Sequence, residues 1–319
     1  MAPMVSVVVC AYTLDRWDQL VAAVHAAAAQ KPVAPMEVVV VADHNDELLA
    51  RAKAGLAADD GSIVVVVNDG GRGLSGARNS GIAAARGELV VFLDDDALPT
   101  AGWLARLLAP FGDPRVVATG GTARPLWPTA RPAWFPPEFD WVVGCSYVGQ
   151  PTEIAEVRNP LGCNMAFRRT VFDQVDGFRE GVGRVGGRPL GCEETELCIR
   201  LRQHRPDSRI VLVPDAVVDH HVTAERTGFR YFRQRCFAEG ISKATVTDEV
   251  GTADGLASER SYLTRTLPRA VVDGVRDGRD GARRAAAIVA GVAFTVAGYV
   301  RGRMSRGKAS RGMGGRGRR

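Results

Sequence analysis

The chain has 319 residues, 46% of them hydrophobic and 24% charged, which is enough apolar material for a substantial core and fits one large domain or one and a half. That balance excludes collagen-like, coiled-coil and wholly disordered chains. The net charge is +5, yet residues 301–319 hold eight Lys or Arg and no acid, so the remainder carries −3. The basic character therefore belongs to a tail, and it speaks against nucleic acid as a partner of the folded body.

In chain order, Val5 to Cys10 is a short β-branched run, as expected of a strand buried on both faces. Trp17, Leu20, Val21 and Val24 then share one face of a predicted helix, with Asp15 as its cap. The Met1 to Cys10 segment lacks a charged n-region and an apolar h-region, so no secretion signal is expected. Glu37 to Val41 is the second strand, closed by Asp43-His44-Asn45-Asp46, and a helix over about Glu47 to Ala58 leads to a third strand, Ile63 to Val67. After a glycine-rich turn comes a helix from Ser75 to Arg86, and then a fourth strand, Leu89 to Leu93, that runs into Asp94-Asp95-Asp96. Strand and helix alternate with short links, the signature of a parallel sheet covered on both faces. Ligands of such sheets bind beyond the carboxyl ends of the strands, where Tyr12, Asp43, Asn68 and Asp94 all fall.

Beyond Arg115 the pattern changes. Trp127, Trp134, Pro136, Pro137 and Trp141 mark a loop-rich region with exposed aromatics, and strand and helix patterns return over Arg158–Arg169, Leu190–Gln203 and Ile210–Val213. Gly251 to Arg284 reads as peripheral, Ala285 to Val300 is apolar throughout, and the tail is rich in Gly, Ser and Arg. Six cysteines (Cys10, Cys145, Cys163, Cys192, Cys198 and Cys236) contain no CxxC pair, which fits a reduced, cytoplasmic compartment.

Three adjacent carboxylates repel one another and call for a compensating cation. In an extended chain Asp94 and Asp96 point to the same side and Asp95 to the other. The pair can thus face one hard, oxygen-ligated divalent cation, Mn²⁺ or Mg²⁺, which also holds substrate phosphates; the rival reading is a solvated acidic turn. Glu193-Glu194 opens a helix whose inner face is Leu197, Cys198 and Leu201, and stepping back by three or four lands on Glu194. An inward carboxylate there is a candidate general base, against the alternative of two acids complementing the helix dipole. His220, after strand-like Val217-Val218, is a further candidate metal ligand, or else a satisfied polar residue at a strand end. Gly73 to Asn79 can cradle a phosphate at a helix N-terminus, or form a turn with a structural Arg78. It matches neither the P-loop nor GxGxxG, which excludes an ATPase and a dinucleotide oxidoreductase.

In order and spacing, the stretches Ser6–Tyr12, Glu37–Asp43, Gly76–Gly81, Val91–Asp96, Gly162–Arg169 and Glu193–Leu197 resemble the family-2 glycosyltransferases. The resemblance implies an α/β protein of GT-A fold, with a mostly parallel central sheet flanked by helices. It implies inverting, metal-dependent transfer from a nucleotide-diphosphate sugar, UDP-linked by expectation, to a glycan, lipid-linked or small-molecule acceptor. Ala11, Tyr12, Asp43, Arg78, Asp94, Asp95 and Asn164 would bind the nucleotide sugar, and Asp94, Asp96 and His220 the metal. Glu194 matches the family's general base, with Glu193 its rival because the usual Glu-Asp is Glu-Glu here. Asp140 to Cys145 looks like relatives described as glucuronosyltransferases acting on lipid-linked sugars.

The expected organisation is a transferase domain over 1–245, with a nucleotide-sugar half at 1–115 and an acceptor half at 116–245. A helical extension over 246–284, an apolar helix over 285–300 and a disordered basic tail over 301–319 would follow. The last two would attach the protein peripherally to an anionic membrane, on the inner face of the plasma membrane. A sugar-phosphate nucleotidyltransferase and a non-catalytic nucleotide-sugar-binding protein are the alternatives, the first disfavoured because Ala11-Tyr12-Thr13-Leu14 replaces its Gly-rich basic loop.

Overall fold

A computed structural model describes residues 4–30, 35–180, 191–250 and 261–313. Nine strands form one mixed sheet in the order β3-β2-β1-β4-β8-β6-β9-β5, with β7 paired to β9. They are β1 (Val5–Ala11), β2 (Met36–Ala42), β3 (Ile63–Val67), β4 (Leu89–Asp94), β5 (Ala97–Pro99), β6 (Val116–Leu126), β7 (Ala155–Glu156), β8 (Asn164–Arg168) and β9 (Arg209–His221). The first four strands are parallel; β1, β2 and β4 are buried on both faces, as two-sided covering requires, whereas β3 at the sheet edge is largely half-buried and ends on an exposed Val67. β8 then runs antiparallel between β4 and β6, which makes the sheet mixed.

The helices are α1 (Trp17–Ala28), α2 (Asp46–Gly55), α3 (Leu74–Ala84), α4 (Trp103–Leu108), α5 (Thr170–Val175), α6 (Glu193–His204), α7 (Phe229–Val250), α8 (Leu267–Arg276) and α9 (Gly278–Met313). Leu20 and Val24 of α1, Leu48 of α2 and Trp103 of α4 pack on one face of the sheet. Ala77 of α3, Phe172 of α5, and Leu197 and Leu201 of α6 pack on the other. A third cluster, around Phe135, Phe139 and Phe232, joins the middle of the chain to Leu267 of α8 and Ile288 of α9.

Several expectations change. Asp15 does not cap α1: it sits in a short 3-10 turn, Leu14–Arg16, capped by the Thr13 hydroxyl, because that turn interposes itself before the helix. Trp127 and Trp134 are half-buried edge-on against Phe135 and Phe232 and serve as packing groups. The apolar run at 285–300 lies inside α9, which spans Gly278–Met313. Residues 251–260 of the expected extension and 314–319 of the tail lie outside the described residues.

α7 and α9 run in the same direction with their backbones in contact. A Cβ at Gly298 would collide with the carbonyl of Phe237, and one at Gly240 with that of Thr295, so only glycine permits this approach. By length and composition the helix spanning Gly278–Ser305 could cross a bilayer, although a third of its most apolar stretch is buried against the domain.

Candidate active site

Register decides where the acids meet. Ala11 lies opposite Ala42, and Cys10 opposite Asp94, so the carboxyl ends of β1, β2 and β4 stand side by side. The short strand β5 pairs with β9 and sets Ala97 opposite His220. That contact, across more than a hundred residues, brings the histidine to the triple aspartate. These ends open into one cavity of about 1420 Å³.

Ligand atoms of Asp94, Asp96 and His220 all lie within 4.8 Å of one another. His220 Nε2 is 3.2 Å from Asp96 Oδ1. Arg16 Nη1 donates to Asp96 Oδ2 at 2.7 Å, and its Nη2 is 3.1 Å from Asp95 Oδ2. Burial alone would lower the His220 imidazole, but the Asp96 charge and hydrogen bond raise it well above its usual value. Burial would raise Asp96, and the His220 and Arg16 charges hold it below the usual carboxylate range instead. Burial and the Asp96 charge push Asp95 up. Two carboxylates and an imidazole converge on one point. The donor set fits a divalent cation such as Mn²⁺ or Mg²⁺.

Glu193 and Glu194 both line the cavity at the start of α6. The face argument for Glu194 is weaker in the structure than in the sequence, because α6 is buried nearly all round. Hydrogen bonding separates the two acids. Arg78 Nη1 donates to Glu193 Oε1 at 2.9 Å, whereas Glu193 Oε2 is buried without a hydrogen-bond partner among the described residues. Glu194 is half-buried, and burial together with the Glu193 charge pushes its carboxyl up to about 8. A carboxyl whose pKa lies near neutrality is suited to general-base work.

The remaining predicted residues divide. Ala11, Tyr12 and Asp43 line the cavity at the carboxyl ends of β1 and β2. Asp43 Oδ1 accepts from Asn68 at 2.6 Å and Oδ2 from the Gly73 amide at 3.0 Å, so Asp43 also shapes the loop before α3. Arg78 is 2% exposed and holds Glu193 and the Gly162 carbonyl, with Asp94 Oδ1 3.6 Å away. Its guanidinium thus organises the acids, which favours the structural-arginine reading of the Gly73–Asn79 turn. Asn164 is a correction. It is fully buried, accepts from the Trp103 indole, donates to the carbonyls of Thr122 and Ala216, and ties β8 to β6 and β9 outside the cavity lining.

Sequence reasoning missed Arg16 and the column Arg235, Glu239 and Lys243 on α7, all of which line the cavity. The column's regular spacing of four was a readable signal; the approach of Arg16 to the aspartates was not local.

Comparison with known proteins follows the same lines. The sequence profile described as Glycosyl transferase family 2 matches residues 6–176. A curated relative from Haloferax volcanii, glucosyl-dolichyl phosphate glucuronosyltransferase, is 32% identical over 240 residues, which is 75% of this chain and 76% of the relative. Among solved structures, the mannosyltransferase PcManGT from Pyrobaculum calidifontis, in complex with GDP-Man and Mn²⁺, aligns with a TM-score of 0.58 at 19% identity, over 95% of this chain and 87% of that one. GalNAc-T7 with UDP, GalNAc and Mn²⁺ aligns with a TM-score of 0.56 at 18% identity. The alignment covers 82% of this chain and 57% of the GalNAc-T7 chain, and at such identities both structures speak to the fold alone. The matched segment exceeds half of the chain and carries the β1, β2 and β4 ends that assemble the acids; the protein belongs to the family-2 glycosyltransferases and has their GT-A fold.

Proposed function

We propose that this glycosyltransferase moves a hexosyl or glucuronosyl group from a UDP-linked donor, with inversion, onto a hydroxyl of a lipid-linked saccharide. The observation that carries this reading is the half-buried Glu194 carboxylate in the same cavity as the Asp94, Asp96 and His220 cluster. The curated relative supports the lipid-linked acceptor and the glucuronosyl option.

Ala11, Tyr12 and Asp43 hold the nucleoside at the ends of β1 and β2. Asp94, Asp96 and His220 would hold a divalent cation, which would supply positive charge against the departing nucleoside diphosphate. Arg78 fixes Glu193 through a charge-assisted hydrogen bond, so Glu193 is a positioning residue. Glu194 takes the proton of the acceptor hydroxyl as that oxygen attacks the anomeric carbon from the face opposite the leaving group, and one such displacement inverts the configuration. The exposed face of α9 (Ala286, Val289, Ala293, Val300 and Met304) carries no charge between Arg284 and Arg301. Laid on the anionic inner face of the plasma membrane, it brings the cavity to a lipid-borne acceptor.

Nucleoside-diphosphate release with a panel of donors tests the reading. One UDP-sugar should be turned over with Mn²⁺, with loss of activity on chelation and in Asp96→Ala, which should also bind the donor less tightly when Mn²⁺ is present. Wild-type turnover of Asp96→Ala in Mn²⁺ would overturn the metal assignment.

A further inference from the structure

The cavity does not end at Glu194. It continues past Arg235, Glu239 and Lys243 of α7 to an apolar stretch formed by Leu263, Leu267 and, on α9, Val292 and Val296. Arg235 Nη1 donates to Glu239 Oε2 at 2.8 Å, and Lys243 Nζ is 3.5 Å from Glu239 Oε1. The column abuts the catalytic helix, since the Cys192 thiol, next to Glu193, donates to Glu239 Oε1 at 3.5 Å. The Arg235 guanidinium also lies over the Trp141 ring, 5.7 Å from its centroid. Two of the apolar residues reach solvent, Leu263 at 48% exposed and Val296 at 56%. The apolar arm therefore opens outward through a greasy rim.

A nucleotide sugar accounts for the acids and the nucleoside end of the cavity. It accounts neither for two cations sharing one carboxylate beyond the base nor for an apolar exit. The polarity changes in a definite order, from carboxylates to cations to aliphatic side chains, and an acceptor of matching order has a sugar hydroxyl, then a phosphate, then a hydrocarbon chain. We infer that this arm binds the lipid phosphate of the acceptor. Arg235 and Lys243 hold the phosphate, Leu263, Leu267, Val292 and Val296 carry the first units of the chain, and the saccharide lies between them and Glu194. Arg supplies a planar fork for phosphate oxygens, and Lys a second positive charge. The inference rests on the proposed lipid-linked acceptor and adds where, and by which residues, that lipid phosphate is held.

The test is calorimetric titration of the full chain with farnesyl phosphate below its micelle concentration, in the absence of any donor, with farnesol and inorganic phosphate as separate arms. Farnesyl phosphate should bind, and each partial ligand should bind at least about tenfold more weakly. Arg235 is half-buried and paired with Glu239, and its loss can unfold the seam, so the variants are Lys243→Gln and Val296→Glu, the second on an exposed position. Each should weaken farnesyl phosphate about tenfold and leave UDP binding in Mn²⁺ unchanged. Failure of farnesyl phosphate to bind, equal affinity for farnesol, or an affinity that neither variant alters would overturn the inference. Because no turnover is read, a protein that binds farnesyl phosphate in this way but releases no nucleoside diphosphate would contradict the proposed activity alone.

Discussion

At the scale of single residues, the two adjacent glutamates carry different loads. Glu193 is held by Arg78, whereas Glu194 has no side-chain partner among the described residues, and burial sets its carboxyl near 8. Glu194→Gln should fold, bind donor and lose about a hundredfold or more in turnover, the scale of general-base catalysis. Glu193→Gln keeps a hydrogen-bond acceptor for Arg78 and should be milder. A dead Glu193→Gln beside an active Glu194→Gln would reverse the two roles. The pH dependence has a definite sign. A base acts deprotonated, so kcat/KM should rise with pH along an acid limb displaced upward from the ordinary Glu value of about 4.3, toward about 8. The limb should vanish from the residual activity of Glu194→Gln; a wild-type limb near the ordinary value would argue against Glu194 as the base.

What the sequence could tell at this scale follows a physical rule. The sequence placed Asp94 and Asp96 on one side by strand alternation, but β4 ends at Asp94 and it is the turn Asp95-Asp96 before β5 that brings the second acid beside the first. The place of His220 beside the aspartates follows only from the pairing of β5 with β9, and the Arg78–Glu193 contact links residues 115 apart in sequence. Asn164 was misread because a buried amide bridging three chain segments and a ligand-binding amide leave the same trace in sequence.

At the scale of elements, the valine-rich strands and the helices between them were readable up to β4, because hydrophobic period and burial agree there. The mixed half of the sheet was not, since the antiparallel insertion of β8 depends on pairing at long range. α9 shows most clearly how tertiary contact changes the meaning of a segment. Its Gly298 and Ile288 faces belong to the packed domain, so cutting the chain at Arg284 would remove core as well as any membrane-binding face. The membrane reading is therefore tested on the exposed stripe. Sedimentation with anionic vesicles should fall several-fold in Val289→Glu/Val300→Glu, because about 3 kcal/mol or less separates an inserted valine from an exposed one at each site. Binding to neutral vesicles should be weak for both proteins. Equal partitioning of variant and parent, at low and high salt, would remove α9 from the membrane.

At the scale of the whole molecule, the carboxyl ends of β1, β2 and β4 bring the acids, His220 and Glu194 to one cavity, and the C-terminal helices extend that cavity toward an apolar rim. Under the proposed function the donor lies against the first half of the chain and the acceptor against the second. The account stands or falls on the bond that is made. The direct measurement is NMR of the product formed with Mn²⁺ from UDP-glucuronic acid, whose anomeric linkage is α, and glucosyl farnesyl phosphate. The prediction is one new glycosidic bond in the β configuration. An α-linked product, or transfer of the nucleotide in place of the sugar, would contradict it.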